Sequence, residues 1–197
     1  YICSNLKSVI ISEGVKSIGI SAFSSCISLK SVTISEGVKS IGNMAFGGCT
    51  SLEFVTIPSS VESIGDFAFS SCDSLKSVVI SEGVKSIGNS AFSNCTSLES
   101  VTIPSSVKVI GNGTFYGIEK LSLIFAPYSE LESIDQNFIN YPIDIYVSES
   151  DYERLKKLFE NRFINMIKYH LYAMDDVNES EITVSCVTRY GKIESAT

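Results

Sequence analysis

The sequence predicts a repeat solenoid, a right-handed stack of 23-residue coils built mainly from short parallel strands and short helical turns, with a C-terminal capping helix. Two apolar markers recur with this period and keep the same phase through most of the chain. Phenylalanine occurs at Phe23, Phe46, Phe69, Phe92, Phe115 and Phe138, and leucine at Leu6, Leu29, Leu52, Leu75, Leu98 and Leu121. A longer period of 46 residues is also present, because residues 28–65 and 74–111 are identical at 31 of 38 positions. A single coil cannot bury its own apolar side, so the coils must stack on one another.

Each coil contains two extended segments and one turn. The segment "LKSVTI" alternates apolar and polar residues and is rich in β-branched side chains, which predicts a strand near 29–34 and at its equivalents. "VKSIG" predicts a second, shorter extended segment with its Val and Ile facing inward. "AFSSC" is too short for a full helix and predicts one helical or 3₁₀ turn. A glycine is expected where each coil turns a corner, because glycine has the smallest steric cost there, at Gly19, Gly42, Gly65, Gly88 and Gly111.

The pattern C-x-x-L-x-x-V-x-I-P-x-x-V-x-x-I-G-x-x-A-F is found in "CTSLEFVTIPSSVESIGDFAF" (49–69) and "CTSLESVTIPSSVKVIGNGTF" (95–115). It resembles the BspA-like, treponemal-type leucine-rich repeat. The resemblance covers residues 1–147, as about six repeats, and it brings no catalytic residues. Serine replaces the proline in three coils, at Ser12, Ser35 and Ser81. The coil that begins near Leu121 carries its inward Leu and Ile one residue late, so an irregular last repeat is expected.

The resemblance implies a binding function. The family is similar to secreted or surface-displayed proteins of host-associated microbes, which bind host proteins or neighbouring cells. We therefore expect a non-catalytic, monomeric module, secreted or at the cell surface, that mediates protein binding or adhesion to a protein or cell-surface ligand. One alternative is a presentation or spacer region of a larger secreted enzyme, since Tyr1 falls inside a repeat and the chain is expected to be a piece of a longer protein. A scaffold with no ligand of its own is a second alternative.

Five of the six cysteines follow the repeat. They are Cys3, Cys26, Cys49, Cys72 and Cys95, whereas Cys186 lies outside the repeats. Stacked residues in register point the same way, which does not suit the dihedral angle of a disulfide. Zinc needs four ligands that converge on one point, and a row of thiols does not provide them. We expect buried, reduced thiols that fill the space between turn and strand, and disulfides or a reactive thiol are the alternatives.

Composition and motifs argue against several classes of function. The net charge of −7 argues against nucleic-acid binding, which needs a basic surface. No apolar run approaches the roughly 20 residues of a membrane span, so we expect no membrane insertion. His170, the single histidine, is expected on the capping helix and is not expected to be catalytic. Phosphate-loop, serine-hydrolase and zinc-protease motifs are absent from the sequence, so no catalytic residue, cofactor or metal is expected.

Residues 148–197 break the period and are predicted to form a C-terminal cap. "SDYE" at 150–153 is a capping box, in which Ser150 would cap a helix and Glu153 lies three residues later. Apolar residues at helical spacing predict an amphipathic helix near 151–172, at Leu155, Leu158, Phe159, Phe163, Met166, Ile167 and Leu171. Such a helix would cover the open end of the solenoid, or alternatively bind a partner. "EITVSCVTRY" predicts a strand near 182–188.

The outward-facing positions of the strands are the candidate protein-binding surface. It comprises Ser31, Thr33, Phe54, Thr56, Ser77 and Val79. Phe54 interrupts a row of serines, and Phe125 is expected to interrupt the neighbouring row in the same way. An exposed aromatic ring among small residues is a common anchor of protein interfaces, although single exposed rings also occur on ordinary surfaces. A charged row is expected to be solvated surface, at Lys16, Lys39, Glu62, Lys85 and Lys108.

Overall fold

The chain folds into a solenoid in which each repeat contributes one four-residue strand and one two-residue strand. The computed structural model describes residues 3–135, 137–160 and 170–174. The elements, in chain order, are β1 (Ser8–Ile11), β2 (Ser17–Ile18), β3 (Ser31–Ile34), β4 (Ser40–Ile41), β5 (Phe54–Ile57), β6 (Ser63–Ile64), β7 (Ser77–Ile80), β8 (Ser86–Ile87), β9 (Ser100–Ile103), β10 (Val109–Ile110), β11 (Ser122–Phe125), β12 (Ser133–Ile134), β13 (Asp144–Ser148), α1 (Tyr152–Glu160) and β14 (His170–Met174).

Two rows of parallel strands run along the stack. The longer strands form two four-stranded sheets, in the orders β1-β3-β5-β7 and β9-β11-β13-β14, and the short strands form one sheet from β2 to β12. Apart from β7 and β9, each strand pairs with its equivalent in the next coil, so that Ser8 lies beside Ser31 and Phe54 lies beside Ser77. The predicted solenoid of 23-residue repeats with parallel strands is therefore confirmed. We call the outer surface of the longer strands the strand face.

The third side of each coil is a run of hydrogen-bonded turns, at the place where the sequence predicts one helical or 3₁₀ turn. The N–H of Cys49 donates to the carbonyl of Phe46 at 3.2 Å, which closes a turn within one coil. The N–H of Phe46 donates to the carbonyl of Ala68 in the next coil at 2.8 Å. Because hydrogen bonds between coils occur on this side as well as in both strand rows, the stack is fixed on three sides.

A column of stacked aromatic rings lies inside the turns. Neighbouring rings are 5.2–5.8 Å apart between centroids and within 10° of parallel, at Phe23, Phe46, Phe69, Phe92 and Phe115. Offset stacking at this distance is a favourable arrangement for aromatic rings. The inward Val, Ile and Leu side chains of both strand rows complete one core that runs through the whole stack.

The cysteines of the middle coils lie in this core as free thiols. Cys26, Cys49, Cys72 and Cys95 are buried, as predicted, whereas Cys3 in the first coil is exposed. The three thiols that donate to a carbonyl of the preceding coil are Cys49 to Phe23 at 3.2 Å, Cys72 to Phe46 at 3.3 Å and Cys95 to Phe69 at 3.1 Å. Burial raises the pKa of Cys26 and raises that of Cys49 to about 12. A hydrogen bond with the Cys95 thiol, together with burial, raises the pKa of Cys72.

Thiol labelling should separate Cys3 from the rest of this column. At pH 8 we expect Cys3 to react quickly with a maleimide, and the four buried cysteines to react slowly, because a neutral buried thiol is a poor nucleophile. Peptide mapping after a timed reaction measures this difference. A buried cysteine that reacts as fast as Cys3, or a repeat cysteine that stays unreactive after denaturation without reductant, would contradict it.

The repeated glycines from Gly42 to Gly111 are required by the short distance to the preceding coil and not by a left-handed backbone conformation. A Cβ atom added at Gly88 would lie 2.7 Å from the backbone nitrogen of Asp66 and 2.7 Å from the carbonyl carbon of Gly65. Gly88 has no positive φ, whereas Gly37 and Gly83, in the loop after the longer strand, have φ values of 98° and 111°. The glycine ladder therefore permits close approach of the coils, and other glycines provide the left-handed backbone.

The sixth coil corrects the predicted orientation of Phe125. In the parallel register, Ile124 lies beside Thr102 and Phe125 lies beside Ile103, one residue earlier than the 23-residue period requires. Phe125 is therefore buried, and its predicted position on the strand face is wrong. The cause is a single missing residue between Leu121 and the strand, because a shift of one residue moves every strand side chain to the opposite face.

The predicted displacement of the inward residues later in this coil is confirmed. Leu131 and Ile134 are buried, and Ile134 pairs with Ile110, one residue later than the period requires. The phase is restored at the buried Phe138, because the chain is one residue shorter from Ile134 to Phe138 than from Ile110 to Phe115.

The C-terminal segment differs from the predicted cap. Helix α1 spans Tyr152–Glu160, and Asp151, not Ser150, stands immediately before it. Residues 170–174, which include His170, form strand β14 parallel to β13, so the predicted helix near 151–172 does not continue through them. The edge of β13 presents a row of backbone N–H and C=O groups, and a strand can form hydrogen bonds with them whereas a helix cannot. Residues 161–169 and the predicted strand near 182–188 lie outside the described residues.

Helix α1 packs its apolar face on the solenoid, as predicted. Leu155 and Phe159 are buried, and the Phe159 ring meets the Phe125 ring edge-on at 5.8 Å between centroids. The Asp151 carboxylate accepts hydrogen bonds from the N–H of Ser129 and from the side chain of Arg154. The core continues from β13 into α1, and the division of the chain between 147 and 148 stays a prediction.

Candidate protein-binding surface

The structure brings the predicted surface residues together on the strand face. Side chains alternate in and out along each strand, with the burial pattern exposed, buried, exposed, buried in β5 and β7. The parallel register places Phe54 between Ser31 and Ser77, and Thr56 beside Val79. Thr33 is also exposed, and Ser31 is half-buried. These six residues therefore form one continuous surface over β3, β5 and β7.

Two of these residues make the surface apolar at its centre. Phe54 is 58% exposed and Val79 is 53% exposed. They are diagonal neighbours on adjacent strands, at a separation of about 7 Å that an aromatic ring can bridge. Hydroxyl groups of Thr33, Thr56 and Ser77 surround them. This arrangement can bury an apolar side chain of a partner and offer hydrogen bonds around it.

The charged row forms a chain of exposed ion pairs on the adjacent side of the coils. The Glu62 carboxylate lies 3.3 Å from the Lys85 ammonium and 3.6 Å from that of Lys39. A hydrogen bond from Lys85 holds the pKa of Glu62 below its ordinary value. The Lys108 ammonium lies 3.3 Å from the Glu132 carboxylate, and the hydrogen bond between them raises the pKa of Lys108. Such exposed pairs contribute little to stability, which agrees with the prediction of solvated surface.

Sequence reasoning missed exposed apolar residues on the turn side. Met44 and Phe67 occupy equivalent positions in adjacent coils, are nearly half exposed, and have positive φ values of 55° and 56°. Serine or glycine stands at the same position in other coils, for example Ser90 and Gly113. The replacement of small residues by Met and Phe at one repeat position was the signal that could have identified them. Tyr116, also on the turn side, is 51% exposed.

The described residues were also compared with the requirements of a metal site, a ligand groove and a membrane span. Within residues 3–135, 137–160 and 170–174, no group of three or more His, Cys, Asp or Glu side chains is placed to hold a metal ion. An open groove near the C-terminal coils is lined by charged residues of both signs, Glu99, Glu119, Lys120 and Asp144. In the described part of the chain, no helix combines the length and apolar character that crossing a membrane requires.

The continuous core, the parallel register and the 23-residue period define a leucine-rich-repeat solenoid, a class of repeat module that interacts with proteins through extended surfaces. The family described as "BspA type Leucine rich repeat region (6 copies)" matches residues 1–122 and 39–165, and the chain belongs to this family. A search of proteins with curated functions finds no significant match.

The chain is similar to solved structures of bacterial leucine-rich repeat proteins. A leucine-rich repeat protein from Bacteroides ovatus ATCC 8483 is 32% identical over 72% of this chain and 42% of its own length, with a TM-score of 0.53. The T. pallidum leucine-rich repeat protein is 26% identical over 77% of this chain and 82% of its own, with a TM-score of 0.56. A leucine rich cell surface protein from Faecalibacterium prausnitzii A2-165 is 25% identical over 96% of this chain and 64% of its own, with a TM-score of 0.44.

These similarities are to repeat proteins, and they include no enzyme family. The chain spans less than half the length of the Bacteroides ovatus protein, at 42%.

Proposed function

We propose that the chain is a non-catalytic module, secreted or displayed at the cell surface, that binds a protein ligand through the strand face centred on Phe54. The observation that carries this proposal is the exposed Phe54 ring beside Val79, on a face otherwise made of small hydroxyl-bearing side chains. Aromatic anchors on rigid surfaces provide much of the binding free energy at protein interfaces. Adhesion to another cell is one use of such a module, and membership of the BspA-type family supports a surface location.

The internal duplication supports a role for Phe54 outside folding. The equivalent residue in the second copy is Ser100, and the two strands otherwise share the sequence Val-Thr-Ile. Both strands have the same alternation of exposed and buried residues. An aromatic ring is therefore unnecessary for this strand to form. The Phe54 ring, which only the first copy has, therefore changes the surface of the protein and not its fold.

The chemistry around Phe54 favours a protein ligand over a charged polymer. The residues at the starts of the strands on this face alternate in charge, as Lys30, Glu53 and Lys76. A surface with both signs of charge and an apolar centre matches the mixed composition of protein interfaces. The net charge of −7 opposes nucleic-acid binding in addition. We propose that the module acts as a monomer.

Replacing Phe54 with serine tests the site. The variant reproduces the residue of the second copy, so the fold and the melting temperature should be unchanged. Soluble extracellular proteins and serum proteins are immobilised as a panel, and the affinity of the chain for each retained protein is measured by surface plasmon resonance. We expect Phe54→Ser to weaken the binding by about tenfold or more, as truncation of an interface anchor does.

Two matched variants control for non-specific hydrophobic binding and for general effects of changing the surface. Tyr116→Ser removes a ring of similar exposure from the turn side and should leave the affinity unchanged. Ser100→Phe adds a ring at the equivalent position and should create no new binding. If no panel protein is retained, or if Phe54→Ser binds as the parent does, the proposed site is wrong. The alternative, a presentation or spacer region of a larger secreted enzyme, predicts that second result.

A further inference from the structure

The strand face is paired unevenly along the stack. Strands β5 and β7 are joined by four residue pairs, and the same number joins β1 to β3 and β9 to β11. In contrast, β3 and β5 share the single pair of Ser31 with Phe54. Among the described strands, β7 and β9 are neighbours that belong to different sheets. We call the β3/β5 and β7/β9 junctions seams.

Proline explains why the seams recur every second coil. At the fully paired junctions, the residue after the strand donates its N–H to the preceding coil, as Ser35 does to Ile11 and Ser81 does to Ile57, both at 3.1 Å. At the seams this position is occupied by Pro58 and Pro104. Proline has no N–H, so it cannot donate the equivalent bond.

The burial of the inward side chains shows the same alternation. Next to the β7/β9 seam, Val78 and Ile80 keep 6% and 7% of their surface exposed. The side chains on the other strand of each seam, Val55 and Ile57 of β5 and their equivalents in β9, keep at most 1%. Val32 and Ile34 of β3, next to the β3/β5 seam, keep 6% and 8% of their surface exposed. The residual exposure therefore lies on one strand of each seam, the strand that comes first in the chain.

A carboxylate bridges each seam outside the strands. The side chain of Glu82 accepts hydrogen bonds from the N–H groups of Ser105 and Ser106, at 2.8 and 3.0 Å. At the β3/β5 seam, the Glu36 carboxylate accepts the equivalent hydrogen bond from the N–H of Ser60 at 3.0 Å. The short strands and the turns remain paired across the seams, for example by β8 with β10. The uneven pairing is therefore confined to the strand face.

We propose that strands β1 to β7 of the strand face form two rigid two-coil plates, that β9 to β14 form a third plate of four strands, and that the β7/β9 seam opens in solution while the short-strand sheet and the turns act as the hinge. Within the first four coils, the length of a plate then equals the 46-residue period of the duplication. Phe54 and Val79 lie on one plate, which keeps their relative position fixed. Thr33 lies on the preceding plate, across the β3/β5 seam, where Ser31 still pairs with Phe54. The inference does not depend on the proposed binding function.

Amide hydrogen exchange of the whole chain, measured residue by residue by NMR, tests the seam. We expect the amides of β7 and β9 that face each other to exchange faster than those between β9 and β11, which are fully paired. Pro104→Ser restores an N–H opposite Ile80 and should slow exchange at the seam by about tenfold, the effect of one hydrogen bond of ordinary net strength. Ser81→Pro is the reverse change, and it should accelerate exchange between β5 and β7.

Glu82→Gln provides an independent variant that leaves the strands untouched. Loss of its charged hydrogen bonds to Ser105 and Ser106 should accelerate exchange at the β7/β9 seam and leave the β9–β11 junction unchanged. Equal protection on both sides of β9 in the parent chain would overturn the proposal. It would also be overturned if both Pro104→Ser and Glu82→Gln left the exchange of the seam amides unchanged.

Discussion

Replacement of Phe69 with alanine is expected to lower the free energy of unfolding by about 3–5 kcal/mol, the usual effect of removing a buried aromatic ring. Phe69 is fully buried and stacks between Phe46 at 5.2 Å and Phe92 at 5.4 Å. The change removes two ring contacts and leaves a cavity at the centre of the column. Because each coil is stabilised by its neighbours, the loss should also reduce the cooperativity of unfolding. Urea unfolding, with its midpoint and slope, measures both effects.

Phe23→Ala is the matched control for this prediction. Phe23 is half-buried and stacks on Phe46 alone among the described rings, at 5.3 Å. Its removal should therefore cost clearly less than that of Phe69. Equal losses at the two positions, or a loss below about 1 kcal/mol at Phe69, would contradict the view that the ring column organises the stack.

Replacement of Gly88 with alanine is expected to destabilise the protein by about 3 kcal/mol, at the upper end of the range for overpacking a close contact. The added Cβ would meet backbone atoms of Asp66 and Gly65 at 2.7 Å, and backbone cannot move aside as a flexible side chain can. The two coils would have to separate. This would weaken the hydrogen bond from the N–H of Gly88 to Ile64 at 2.9 Å and the one from Asn89 to the Asp66 carboxylate at 2.7 Å.

Gly19→Ala tests the same repeat position without the same contact. A Cβ at Gly19 meets no atom within 4 Å, and its φ is not positive. This variant should be neutral or stabilise the fold by up to about 1 kcal/mol, because alanine restricts the unfolded chain. Thermal or urea unfolding of both variants measures the difference. If Gly19→Ala and Gly88→Ala were equally destabilising, close approach of the coils would not explain the glycine ladder.

The sequence predicted those features of the fold that depend on side-chain alternation within one coil. Val32 and Ile34 face inward and Thr33 faces outward because the strand has a period of two, and this can be read from "SVTI" alone. The buried phenylalanines and cysteines were predictable because they recur at one place in the period. The exposure of Phe54 followed from the same alternation.

Features that depend on contacts between coils were not predictable in the same way. The role of Gly88 depends on its distance to the backbone of Asp66 in the preceding coil, and this distance cannot be read from the sequence of a single repeat. The orientation of Phe125 depends on one missing residue, whose position becomes definite only when the strand is paired with β9. The strand at His170 forms because β13 offers a paired edge, although the residues before it have helical spacing.

The seams illustrate a signal that was present in the sequence but had no assigned meaning. The period of 46 residues and the alternation of serine with proline, as at Ser81 and Pro104, are visible in the sequence. Their consequence follows from the loss of an N–H at a junction where the other coils donate one. The period of two coils in the sequence therefore corresponds to two kinds of junction between coils, one with serine and one with proline after the strand.

Site-specific photo-cross-linking tests most directly the claim that the strand face is the binding surface. A photoreactive phenylalanine analogue is placed at position 54 in one variant and at position 116 in another, two aromatic sites with similar exposures of 58% and 51%. Each variant is irradiated with a protein that the parent chain retains from the immobilised panel, and the cross-linked product is identified by mass spectrometry. We predict a covalent product from position 54 and none from position 116. A product from position 116 alone, or equal yields from the two positions, would contradict the assignment of the ligand to the strand face.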